Sequence, residues 1–239
     1  MKKTIKTLSA ALLFLGALPA CEDPGVPEIT PFYRPISANG EGASQGDRGN
    51  LQISEINYAG SVSDDSVYDA DDIFIELWNK HPHPINISGW RITVDGDFNA
   101  SYRIPKVDAA IPINGYFVIA RKKDGAFGDI ADVFIPELRL GKKKVRVEIR
   151  DIDKVLIEDG GSTTTRTFAG GFDSVSVRSM ERVSLVFGNR GSNGVNWHAY
   201  SEDVAEPTVK KGYRKFTLAS PGVANTKDYS GNASAGNFE

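Results

Sequence analysis

The stretch from 51 to 225 is predicted to be all-β, an antiparallel sandwich or barrel. Short runs there alternate apolar and polar residues, no segment shows helical periodicity, and turn-forming residues separate the runs. About seven to nine short strands of this kind fit a sandwich or closed barrel better than any layered α/β arrangement.

Each element rests on its own alternation. Leu51 to Asn57 opens the series. Ile73, Ile75 and Leu77 then alternate with Phe74, Glu76 and Trp78, and Trp90, Ile92 and Val94 with Gly89, Arg91 and Thr93. Val145, Val147 and Ile149 alternate with Lys144, Arg146, Glu148 and Arg150, so these segments read as half-buried strands. Residues 115–121, 154–157, 174–177 and 182–187 are further candidates, and Asp124-Gly125 and Asp159-Gly160-Gly161 read as turns.

The chain has 239 residues, 40% hydrophobic and 25% charged, enough for one good core. Its single cysteine excludes internal disulfides, thiolate zinc clusters and C-x-x-C redox chemistry. The formal charge is -3, and without Lys2, Lys3 and Lys6 the 28 basic residues fall to 25 against 31 acidic ones. That balance disfavours chain-wide attraction to nucleic acid or anionic lipid.

Those three lysines lie in a segment with the order of a secretory signal: a positive start, an apolar run from Leu8 to Leu18, and Leu18-Pro-Ala-Cys21. Leu18 and Ala20 before Cys21 resemble the lipobox of bacterial lipoproteins, although Pro19 departs from the usual small residue there. The resemblance implies cleavage before Cys21 and a thioether-linked diacylglycerol on it, usually with N-acylation. Residues 1–20 would be the signal peptide, and two or three acyl chains would anchor the mature protein stably. Cys21 is thereby an anchor, not a nucleophile.

From 21 to 50 the composition shifts to Pro24, Pro27, Pro31 and Pro35 and then to Gly40, Gly42, Gly46 and Gly49, which reads as a tether. Roughly thirty residues reach about 100 Å when extended. Residues 226–239, rich in Gly, Ser, Asn and Ala, are expected to be a disordered tail.

Within the folded part, several segments in order resemble a lamin-tail domain, the immunoglobulin-like sandwich at the end of nuclear lamins and in many bacterial exported proteins. Leu51-Gln-Ile-Ser-Glu-Ile-Asn57 resembles its first strand. Ile73-Phe-Ile-Glu-Leu-Trp-Asn79 followed by Pro84-Ile-Asn-Ile-Ser-Gly-Trp90 resembles its most recognisable stretch. Residues 111–120, Ser179-Met-Glu-Arg182, Asn196-Trp197 and Ala219-Ser-Pro-Gly-Val-Ala-Asn225 fit later elements. The resemblance implies an immunoglobulin-like antiparallel β-sandwich and structural roles for Glu76, Asn79, Gly89, Trp90, Trp197, Pro221, Gly222 and Asn225. On physical grounds Gly89 lets the chain turn into a strand led by a core Trp90, and Asn79 can close a turn through its amide. Glu76 is expected to accept backbone or Trp N–H bonds and to do no acid–base work. Two excursions depart from a minimal domain, an acidic loop at 61–72 and a long excursion at 162–173, and specificity is expected there.

Candidate chemistry is sparse. Asp64, Asp65, Asp69, Asp71 and Asp72 supply the hard oxygen ligands calcium uses, but their spacing departs from the EF-hand pattern, and a solvated acidic loop is the commoner explanation. No other cofactor is expected. His81-Pro-His83 reads as a surface turn, with weak transition-metal chelation as the sharper alternative. No serine sits in a strand-to-helix nucleophile elbow, the sequence Gly42-Ala-Ser-Gln-Gly46 falling in the Gly-rich tether, and no Walker loop or H-E-x-x-H occurs, so no enzyme activity is expected. Lys142, Lys143, Lys144 and Arg146 form one basic run, and Lys210, Lys211, Arg214 and Lys215 a second. A lysine-protected strand edge explains the first as well as nucleic acid does.

The leading expectation is a non-enzymatic, lipid-anchored protein of the cell envelope, with the outer membrane favoured over the inner, binding a protein, glycan or cell-wall component. A surface adhesin for host or matrix ligands and an accessory nucleic-acid-binding or nuclease-associated module are the rivals.

Overall fold

In a computed structural model, residues 51–183, 190–201 and 206–227 are described. In chain order the strands are β1 (Leu51–Asn57), β2 (Ser61–Val62), β3 (Tyr68–Asp69), β4 (Phe74–Asn79), β5 (Arg91–Gly96), β6 (Ala100–Arg103), β7 (Tyr116–Ala120) and β8 (Val133–Phe134). They continue as β9 (Val145–Arg150), β10 (Leu156–Ser162), β11 (Gly171–Phe172), β12 (Val177–Arg178), β13 (Met180–Arg182), β14 (Trp197–Ala199) and β15 (Thr217–Leu218). The only helical element among the described residues is a single 3-10 turn, Gly194–Asn196.

A six-stranded sheet in the order β14-β13-β1-β4-β7-β8 packs across a four-stranded sheet in the order β10-β9-β5-β6. Trp90, Trp197, Leu77, Ile92, Val147 and Met180 are among the side chains filling the space between them. This is the immunoglobulin-like sandwich the sequence predicts. Two of the pairings, β7 with β8 and β12 with β15, are parallel.

The strand expected at Leu51–Asn57 forms, but its alternation is broken by a bulge between Ile53 and Glu55. One extra residue lets both Ile53 and Ile56 face the core, while Glu55 turns to the other face. Beyond the bulge Glu55 lies opposite Glu76, and Ile56 opposite Ile75.

The expectation that Ile73 to Trp78 would be half-buried needs correction. Phe74 and Glu76 are as buried as Ile75 and Leu77, because the outer face of the six-stranded sheet is also covered. Over its β4–β7 part lies a second apolar cluster of Phe74, Val118, Ala120, Phe127, Val209 and Ala219. Over its β13–β1–β4 part lies the last described stretch of chain. The half-buried expectation fits β9 better: Arg146 and Arg150 bracket Glu148 at 2.9 and 2.6 Å on its outer face.

Two other expectations change. Asp159-Gly160-Gly161 is not a turn but lies inside β10, where glycine marks a close approach rather than a bend. A Cβ on Gly160 would sit 3.0 Å from the Trp197 ring, whose indole N–H donates to Gly191 O at 2.8 Å. Residues 174–176 form a turn instead of a strand, closed by Asp173, whose carboxylate accepts from the Val175 and Ser176 amides. Of the strand expected at 182–187, Arg182 closes β13, Val183 lies outside any strand, and 184–189 lie outside the described residues.

Replacing Gly160 with Val forces branched carbon against Trp197, and overpacking of this kind costs about 1–3 kcal/mol. Urea unfolding of Gly160→Val should show a loss of that size, and an unchanged midpoint would mean Trp197 does not lie against this strand.

Candidate binding surface

The two excursions singled out in the sequence meet at one place. The Tyr68 ring in β3 stacks on the Phe172 ring in β11 with centroids 4.0 Å apart and planes within 4°. Both side chains remain 40% exposed, and Val67 at 64% and Val175 at 60% are more open still. Exposed apolar side chains on a loop cluster are the usual raw material of an interaction surface. Beside them a recess of about 350 Å³ is lined by Gly170, Gly171, Phe172, Asp173 and Arg178.

Short bonds hold both loops in place. The Tyr68 hydroxyl donates to Ala59 O at 2.6 Å. The buried Tyr58 hydroxyl lies within 3.0 Å of Thr167 Oγ1 and of the Ala169 and Gly170 carbonyls. Thr217 locks β2 to β15: its hydroxyl donates to Val62 O and accepts from Val62 N, both at 2.8 Å.

A second recess, about 370 Å³, opens where the acidic loop meets the first basic run, and Asp71, Asp97, Arg121, Arg139 and Lys142 lie on its wall. Lys142 Nζ donates to Tyr58 O and Ala70 O, and burial of the ammonium pushes its pKa down to about 8. The main-chain amides of Lys143 and Lys144 donate to Asp97, and those bonds hold the Asp97 carboxyl below its ordinary value.

The five aspartates do not gather. Asp69 pairs with Lys122 and Asp71 with Arg121, each at 2.5 Å. Burial works to raise the Asp69 pKa, but the bonds from Lys122 and the Asp71 amide hold it below normal. Asp64 accepts from the Lys215 amide at 3.0 Å, tying the acidic loop to the second basic run. Asp65 stands exposed in the turn before Val67. Asp72 is buried, accepting from Ser61 Oγ at 2.6 Å and Ala126 N at 2.7 Å, and burial raises its pKa. The Asp124-Gly125 turn is needed for this contact, since a Cβ on Gly125 would meet the Asp72 carboxylate. Among the described residues no three acidic, histidine or cysteine side chains converge as metal ligands. The aspartates that supplied the raw material for a calcium site are thus spread over separate contacts.

The motif residues have structural work. Asn79 Nδ2 donates to the carbonyls of His83, Ile111 and Pro112, and its Oδ1 accepts from His81 N, so it closes the turn that holds both histidines. His81 is buried and its Nδ1 accepts from His83 N at 3.2 Å. Gly89 takes a φ of 78°, a conformation glycine adopts without strain, and delivers the fully buried Trp90 to the core. Cys21 lies outside the described residues.

Glu76 accepts from Ser54 Oγ at 2.6 Å and from Gly222 N at 2.5 Å, so its donors are a hydroxyl and a backbone amide. Two further glutamates that the sequence did not single out stand beside it. Glu55 and Glu181 pair in register, and all three are buried. A glutamate among the apolar residues of β1 and of β4 was the available signal for two of the three. The closing motif spans them: Pro221 O accepts from Thr208 Oγ1 at 2.7 Å, and Asn225 Nδ2 donates to Ser54 O and Arg182 O. Thr226, expected in the tail, is buried against Glu181.

Comparison with known families gives one decisive match: residues 44–167 fit the lamin tail domain. The chain belongs to the lamin tail domain family. No curated protein matches it. The matched segment ends inside the second excursion, so β11 to β15, including Phe172 of the aromatic pair, lie beyond the lamin tail domain match.

Stacked aromatic pairs are worth about 0.5–1.5 kcal/mol beyond their burial. A double-mutant cycle of Tyr68→Ser and Phe172→Ser should return a coupling in that range, and strictly additive losses would mean that the loops do not meet. Calcium should leave the melting temperature unchanged. A rise with calcium that Asp71→Asn removes would show that the aspartates regroup around an ion.

Proposed function

We propose that this lamin tail domain protein is a non-enzymatic lipoprotein of the bacterial cell envelope, a binding or structural module anchored through Cys21. Leu18-Pro-Ala-Cys21 supports the anchor, and the Pro- and Gly-rich residues 21–50 supply a tether long enough to clear lipid headgroups. The observation that carries the binding half of the reading is the joined surface of Val67, Tyr68, Phe172 and Val175. A ligand that covered them would gain about 25 cal/mol per Å² of apolar area buried, and the Tyr68–Phe172 stack is already ordered before it arrives. In this reading the ligand is a protein, glycan or cell-wall component, and the outer membrane is the favoured location.

Fractionation of cells tests the anchor. The wild-type chain should enter the membrane fraction and incorporate labelled fatty acid, whereas Cys21→Ser should do neither and be exported in soluble form. Membrane retention of Cys21→Ser would overturn the lipoprotein reading. For the surface, cross-linking to isolated envelopes should fall at least about tenfold in Tyr68→Ser/Phe172→Ser, a change of about 1.4 kcal/mol. Undiminished cross-linking would remove these loops from the interface.

A further inference from the structure

The stretch from Ala219 to Thr226 crosses the outer face of the six-stranded sheet directly over the three glutamates. Register sets Glu55 between Glu181 on β13 and Glu76 on β4. Side chains opposite one another on neighbouring strands stand about 5 Å apart. Each carboxyl accepts from the crossing segment, and Ser220 serves two of them. Gly222 N donates to Glu76, Ser220 N to Glu55 at 3.0 Å, and Ser220 Oγ and Thr226 N to Glu181 at 2.6 and 3.0 Å. The segment is thus fastened to the carboxyl row, with Asn225 Nδ2 and Pro221 O adding bonds to Ser54 O, Arg182 O and Thr208 Oγ1, and from Thr217 to Thr226 it has no titratable side chain with which to neutralise that row.

The surrounding elements offer little positive charge. On β14, His198 Nε2 lies 3.8 Å from Glu181 and is a cation only when protonated. From β7 and the residues after it, Tyr116 and Asp132 face Glu76, and Asp132 adds negative charge. Arg182, next to Glu181 in sequence, directs its guanidinium to the other face, over the Trp197 ring and onto Glu158 at 3.1 Å. Ser54 supplies a hydroxyl donor from β1. Lys227 follows the crossing segment and is exposed.

We propose that residues 219–226 are a proton-held latch, closed while the Glu55–Glu76–Glu181 row keeps its carboxyl protons and lifted from the sheet as the row ionises, with the sandwich remaining folded. Three carboxylates side by side in a buried layer cannot all ionise without strong mutual repulsion. Burial, reinforced by the charges of Glu181 and Glu76, pushes Glu55 well above the ordinary carboxyl range. Burial likewise raises Glu181, and lifts Glu76 to about 8. The strands are joined by main-chain ladders and by the core, neither of which depends on these protons. The crossing segment after Leu218 belongs to no strand ladder, and Ala219 is a natural pivot because its carbonyl is fixed by Thr208 N at 3.1 Å.

Amide hydrogen exchange on the full-length chain tests the latch. Peptides from 219–227 and from β5 are followed at pH 6 and pH 9, each corrected for the base-catalysed intrinsic rate. The latch predicts that protection of 219–227 falls at least about tenfold relative to β5 at the higher pH. Glu55→Gln keeps the shape and cannot ionise, so it should retain protection at pH 9. Glu76→Gln gives a second reading of the same kind should Glu55→Gln not fold. Equal protection of 219–227 at both pH values, a parallel loss in β5, or the same loss in the glutamine variants would overturn the proposal.

Discussion

Glu55, Glu76 and Glu181 lie side by side on the covered face of a sheet, and much of the remaining architecture accommodates them. A buried carboxyl is costly unless its oxygens are hydrogen-bonded or its proton is kept. Here donors come from Ser54 within the sheet and from Ser220, Gly222 and Thr226 above it. The bulge that turns Glu55 outward while Ile53 and Ile56 stay in the core brings the three residues into one row. The closing segment therefore both seals the outer face and satisfies the groups beneath it.

This arrangement also explains why the folded unit continues past residue 167, where the lamin tail domain match ends. β13 and β14 extend the same sheet that begins with β1, and Trp197 from β14 sits in the main core against Gly160. Without the later residues Glu76, which lies inside the match, would lose the Gly222 amide that answers one of its oxygens. The later residues complete the outer layer and build half of the proposed binding surface, since Phe172 and Val175 both follow the match.

The strands with regular alternation were legible, because period two is written directly in Val145, Val147 and Ile149 or in Ile73, Ile75 and Leu77. So were Asn79, Gly89 and Trp90, whose chemistry is local: an amide that closes a turn, a positive φ, a large ring at a strand start. What could not be read depends on residues far apart in the chain. Thr226 looked like tail because its partner, Glu181, is 45 positions away. Gly160 looked like a turn because the ring it accommodates belongs to Trp197. The aspartates of 61–72 looked like one cluster, whereas Lys122, Arg121 and the Lys215 amide draw them apart. The loops at 61–72 and 162–173 stood out as departures from the family pattern, but their meeting through Tyr68 and Phe172 could not be inferred from either alone.

The carboxyl row has a thermodynamic signature opposite to that of ordinary ion-paired acids. Below the unfolded-state pKa, near 4.5, both states hold their protons. As pH rises from there the unfolded chain ionises first while the folded one keeps its protons, so the stability these groups contribute declines until about pH 8, the folded value for Glu76. The most direct test is the free energy of unfolding in urea measured across pH 5 to 8. A steady fall over that window, with a smaller slope in Glu76→Gln, is the predicted result. Stability that stays flat or climbs between pH 5 and 8 would contradict a proton-bearing carboxyl row at the centre of this fold.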